Sequence, residues 1–158
     1  MDISIIIFLL GGLFLGWSLG ANDAANVFGT AVGTRMVRFK TAAIICSIFV
    51  ILGAIISGAG TTETLGKLGA INALPGAFAA CVAAGISVYL MTKAGLPVST
   101  TQAIVGAIVG WNLYTGSATN IKVLITILGT WVLCPVIAGL IAMGLSLIHI
   151  SEPTRLLA

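Results

Sequence analysis

The stretch from Thr41 to Gly60 runs for about twenty residues without a charge, enough helix to cover the roughly 30 Å hydrocarbon core of a bilayer. No other feature narrows the choice of fold as far, because a run of this kind has to be kept out of water along its whole length. Composition agrees: 59% of the residues are hydrophobic, 7% are charged and the mean hydropathy is +1.19, too little charge to cover a soluble domain. The chain therefore reads as an all-α integral membrane protein.

Further spans follow from the same test. Ile3 to Leu19 is uncharged over about 17 residues, roughly 25 Å, so it needs extension through the polar segment GANDAAN to complete a crossing. A third span is expected from Ala73 to Thr92, with Pro75 tolerated in its first turn. A last one is expected from Ile121 to about Leu145, kinked at Pro135. Between these two, the apolar part of GLPVSTTQAIVGAIVGWNLYTG, Ala103 to Tyr114, is only about 12 residues and reads as a half-helix or re-entrant element. The expectation is about four to five transmembrane or re-entrant helical elements within residues 1–144. From 145 to 158 the style changes: SLIHISEPTRLLA carries the only His beside a polar, Pro-bearing patch. This segment is set aside as a non-native or disordered tail, which leaves His149 without a catalytic role.

Charge sets an expected orientation. Arg35, Arg38 and Lys40 form the densest basic cluster, which the positive-inside rule places in the cytoplasm, with the N-terminus outside and the chain crossing the cell membrane several times. Glu63 and Lys67 cancel in the segment TTETLGKLGA, read as an outer loop, and Lys93 returns to the inner face. The basic residues form no stripe along which a nucleic acid could lie. Cys46, Cys81 and Cys134 lack metal-ligand spacing, and their odd number gives no disulfide framework, so they read as packing residues. The first span has no basic segment before it and reads as a retained helix rather than a signal peptide.

Two polar insertions carry the chemistry. An ionised carboxylate near the bilayer centre costs on the order of 2.5 to 3.5 kcal/mol, so Asp23 requires a partner or a wet cavity. Asn22, Asp23 and Asn26 offer hard oxygens, and Gly20 allows the backbone to leave the helix, which suggests a small-cation site; the plainer reading is an N-cap at Asn22 or Asp23. In the second insertion Pro97 displaces Leu96 from helical geometry, and Ser99, Thr100 and Thr101 precede a helix expected from about Gln102. Free N–H groups, the positive end of the macrodipole and the hydroxyls would make an anion cradle; the plainer reading is a Ser/Thr cap. Two interrupted helices point to a transporter's ion and substrate site. An anion beside Asp23 would be repelled, so the missing positive charge has to come from a co-bound cation or proton, and that requirement couples the two solutes.

At these residues the sequence resembles the PiT (PHO4) family of inorganic phosphate transporters: GANDAANVFGTAVGT, Gly20 to Thr34, is similar to its long first motif, and PVSTTQAIVGAIVG, Pro97 to Gly110, to its second. The resemblance implies a secondary symporter for inorganic phosphate driven by sodium or protons, with no resident cofactor. It also implies two inverted-topology repeats and a homodimer. Carried over by position, Asp23 and Asn26 would coordinate cation and phosphate with Asn22 in support, and Ser99, Thr100 and Thr101 would hold phosphate oxygens. Each motif occurs once, so the chain corresponds to the N-terminal repeat. Gln102 stands where many members have histidine, and Val50 where some eukaryotic relatives have glutamate.

Two other functions compete. Sulfate or another tetrahedral oxyanion would suit the same hydroxyls. An intramembrane hydrolase with Ser99 as nucleophile lacks a defined base.

Overall fold

In hydrocarbon an unpaired backbone N–H or C=O costs several kcal/mol, whereas a single poor helix former costs about 1 kcal/mol or less. That inequality explains most of the architecture. The computed structural model describes residues 3–69 and 74–151, apart from the side chains of residues 4 and 149–151. Five helices follow one another: α1 Ile3–Gly33, α2 Phe39–Leu68, α3 Leu74–Lys93, α4 Thr100–Thr115 and α5 Ile121–Ser151. Among the described residues there is no strand. All but α4 are long and apolar enough to cross a membrane, in keeping with the all-α membrane class.

Several element boundaries differ from the sequence reading. The backbone does not leave the helix at Gly20, and neither Asn22 nor Asp23 is an N-cap, because α1 runs unbroken through GANDAAN to Gly33. Ala21, Ala24 and Ala25 are good helix formers, and satisfying the backbone inside the helix outweighs the local cost of Gly, Asn and Asp. The supposed outer loop TTETLGKL is the end of α2, where Thr62 and Thr64 donate to the Gly58 and Gly60 carbonyls and Lys67 pairs with Glu63 one turn back. Loss of hydrophobicity was therefore not loss of helix. Helix α4 begins at Thr100, two residues before the expected start. Helix α5 continues past 145 through Ser151 with Pro135 in its interior, and residues 152–158 of the tail lie outside the described residues. Ala73, the expected first residue of the third span, also lies outside them.

The chain divides into two units, residues 1–120 and 121–158. In the first, α1 and α3 run parallel. Their contacts advance together: Phe8 meets Phe78 edge-on with ring centroids 5.8 Å apart, Phe14 packs over Gly85, Trp17 lies 5.8 Å from Tyr89, and Thr92 approaches Asn22. Small residues allow this closeness: a Cβ added at Gly11 would come within 2.8 Å of the Phe78 ring, and one at Gly85 within 2.7 Å of Phe14. The buried face of α3, Gly76, Ala80, Ala84 and Val88, repeats every four residues. Gly95 ends α3 in the left-handed conformation (φ 71°), its N–H donating to the Thr92 carbonyl while Leu96 N–H reaches the Met91 carbonyl. The chain then reverses, and α4 returns antiparallel until Trp111 lies against Gly76. Gly69, just beyond α2, packs on the fully buried Asn112 of α4, and Asn120 N–H donates to the Leu68 carbonyl. The second unit is α5, whose described side chains are almost all exposed.

Candidate functional site

Because α1 stays helical, its polar residues have to be satisfied sideways. Asn22 is 5% exposed and its Nδ2 donates to the Val98 carbonyl at 2.6 Å and to Asp23 Oδ1 at 2.8 Å. Val98 lies in the turn between α3 and α4. The Asn22 Oδ1 faces Thr92 Oγ1 at 3.4 Å, a hydroxyl that also donates to the Val88 carbonyl at 2.8 Å. Thr100, 5% exposed, directs its hydroxyl at both oxygens of Asp23, 3.1 Å from Oδ1 and 3.2 Å from Oδ2. One hydroxyl hydrogen serves one oxygen at a time, so the carboxylate keeps unused acceptor capacity, chiefly on Oδ2. Lys67 and Glu63 form the only ion pair among the described residues, so no cationic side chain balances Asp23 there.

The α4 start is built by Ser99. Its backbone is extended (φ −82°, ψ 117°) and its hydroxyl oxygen accepts from Gln102 N–H, leaving the N–H groups of Thr100 and Thr101 at the open end of the helix. The carboxylate of the first motif and the hydroxyl-bearing helix start of the second thus meet at hydrogen-bond distance, although 77 residues separate them in sequence.

Residues 19–152 match the model of the phosphate transporter family (PHO4). The chain belongs to the phosphate transporter family. A candidate phosphate permease of Pyrococcus furiosus is 36% identical over 152 residues, covering 89% of this chain and 37% of its own length. A sodium-dependent phosphate transporter of Plasmodium falciparum is 34% identical over 138 residues, 80% of this chain and 20% of its own. A chloroplastic inorganic phosphate transporter of Arabidopsis thaliana is 32% identical over 146 residues, 85% of this chain and 25% of its own. The chain spans just over a third, 37%, of the length of the permeases of Pyrococcus furiosus, Thermococcus kodakarensis and Pyrococcus horikoshii to which it is similar. No solved structure matches it. Membership of this family speaks for a transporter and against the hydrolase reading.

Within this family member the anticipated residues divide. Asn22, Asp23 and Thr100 form one hydrogen-bonded group, and Ser99 caps the helix beside it. Asn26, one turn further along α1 from Asn22, and Thr101 are exposed and stand outside that group. The sequence reading missed Thr92 and the Val98 carbonyl. In sequence Thr92 is only the last residue of the expected third span, and a carbonyl leaves no mark there. It also missed Ser18, one turn before Asn22, which is 1% exposed and whose hydroxyl has no hydrogen-bond partner among the described residues. Lys93 sits 5.7 Å from the Tyr89 ring centroid, one turn back along α3.

Proposed function

We propose that this chain supplies one half of the binding site of a cation-coupled inorganic phosphate symporter. The observation that carries the proposal is the Asp23–Thr100 contact in the absence of a cationic side chain paired with Asp23 among the described residues. An unbalanced carboxylate in an apolar bundle attracts a small cation, and with that charge in place an oxyanion is tolerated at the adjacent N-terminus of α4. Phosphate oxygens would be held by Thr100 and Thr101 with their N–H groups. Ser99 would contribute through the cap, and Asn26 through the exposed side of α1. The name of the Plasmodium relative favours sodium as the coupling ion. The remaining shell would come from a second, inverted copy of these motifs, and alternating exposure from rocking one repeat against the other. Pairing as a homodimer is part of the same reading.

The test is uptake of labelled phosphate by the complete gene product in proteoliposomes, with sodium and pH gradients imposed separately. Accumulation that collapses when the gradient is dissipated is expected. Uptake indifferent to both gradients removes the coupling, and sulfate competing as well as unlabelled phosphate replaces phosphate by a broader oxyanion class.

A further inference from the structure

The position of Asn22 in the hydrogen-bond network argues against the role its oxygen first suggests. Its Nδ2 faces two groups that only accept, the Val98 carbonyl at 2.6 Å and the Asp23 carboxylate at 2.8 Å. Turning the carboxamide over would set its oxygen against both, so chemistry fixes the orientation. Both N–H bonds are engaged, and Oδ1 is turned to Thr92 on α3. A cation resting on Asp23 would therefore meet the positive, hydrogen-bearing end of Asn22.

We propose that Asn22 is a positioning residue rather than a cation ligand: it ties the α3–α4 turn, through the Val98 carbonyl, to Asp23, and so keeps Thr100 on the carboxylate. Thr92 is its minor partner. The Thr92 hydroxyl gives its hydrogen mainly to Val88, at 2.8 Å, and the 3.4 Å approach to Asn22 Oδ1 steadies the carboxamide from behind. The geometry calls for such a tie because Leu96, Pro97 and Ser99 are exposed and the turn has little else to hold it on α1. Only Val98 and Thr100 dip inward, and both meet the Asn22–Asp23 pair. The assignment rests on the transport reading for its consequence, though not for its geometry.

Two measurements on the complete gene product test it. Asn22→Asp keeps the shape of the side chain but replaces the amide nitrogen by a second oxygen, so both donors are lost and a negative charge is added. In nanodiscs, amide hydrogen exchange at residues 96–101 is expected to be about tenfold faster in this variant, the scale of one lost hydrogen bond, with α2 and α5 unchanged. In proteoliposomes carrying labelled phosphate, half-saturating sodium and half-saturating phosphate are expected to rise together. Thr92→Val is expected to shift both by a few-fold and Thr92→Ser to restore them, which a general loss of folded protein would not do. Exchange in residues 96–101 within twofold of wild type overturns the proposal, and so do half-saturating sodium and phosphate in Thr92→Val that both stay at the wild-type values. If Asn22→Asp does not insert, exchange in Thr92→Val decides, since an unaltered turn there also overturns it. A wild-type protein that takes up no phosphate removes the transport reading while leaving the exchange result to stand or fall alone.

Discussion

At the level of single residues the Asp23 carboxylate is decisive, because it is the one acidic side chain among the described residues that no ion pair balances. Asp23→Asn keeps the size and one acceptor oxygen yet removes the charge that, on the proposed reading, would recruit a cation. Coupled uptake is expected to fall at least a hundredfold, in line with the roughly 3 kcal/mol or more at stake when one member of a buried charge pair is lost. Membrane insertion should be unaffected, as a protease-protection or membrane-flotation assay would register. Thr100 supplies a charge-assisted hydrogen bond, so Thr100→Val is expected to raise half-saturating phosphate by about tenfold or more and Thr100→Ser to stay near wild type. Wild-type kinetics in Thr100→Val would remove that hydroxyl from the site. The sequence made Asp23 and Thr100 legible because a polar side chain in an apolar run demands an explanation. It did not make Thr92 legible: a threonine at a helix end is ordinary, and only the parallel packing of α1 on α3 sets it opposite Asn22.

At the level of elements, hydropathy located each crossing but misjudged continuity. Interruption of the apolar pattern at GANDAAN and at TTETLGK signals a change of side-chain partner, while the helix itself persists. At Pro97 the break is real, since proline and the left-handed Gly95 remove the option of continuing. Ser99 then opens α4, and Ser99→Ala is expected to cost about 1 kcal/mol through the lost cap, measurable as a lower denaturation midpoint. The α1–α3 seam is more demanding. Gly85 admits the Phe14 ring so closely that a Cβ would fall 2.7 Å from it, and because the packed ring has to give way, Gly85→Val is expected to destabilise by about 1 to 3 kcal/mol. Gly12→Val is the matched control, since a Cβ at Gly12 meets nothing within 4 Å. Equal loss from both would mean the seam is looser than its contacts indicate.

At the level of the whole molecule, the exposed apolar side chains of α2, among them Ile44, Ile48, Phe49, Ile55 and Ile56, need lipid or further protein around them, and the family relationship supplies a reason for both. The charge pattern makes a prediction about orientation in the membrane. Arg35, Arg38 and Lys40 lie on or beside the short connection from α1 to α2, and Lys93 ends α3, which is parallel to α1, so these four basic residues mark one end of the bundle. The other end of α2 carries Glu63 and Lys67, which neutralise each other. If that end follows the insertion bias for positive charge it faces the cytoplasm, and the N-terminus of α1 is then expected outside. Met36 is 81% exposed in that connection and makes a reporter there. In a background with Cys46, Cys81 and Cys134 replaced by alanine, Met36→Cys in right-side-out vesicles should resist a membrane-impermeant maleimide. In inverted vesicles it should label readily. Labelling from the outer face would reverse the orientation. The basic end of α1, ten residues and about 15 Å of helix from Asp23, would then face the opposite compartment.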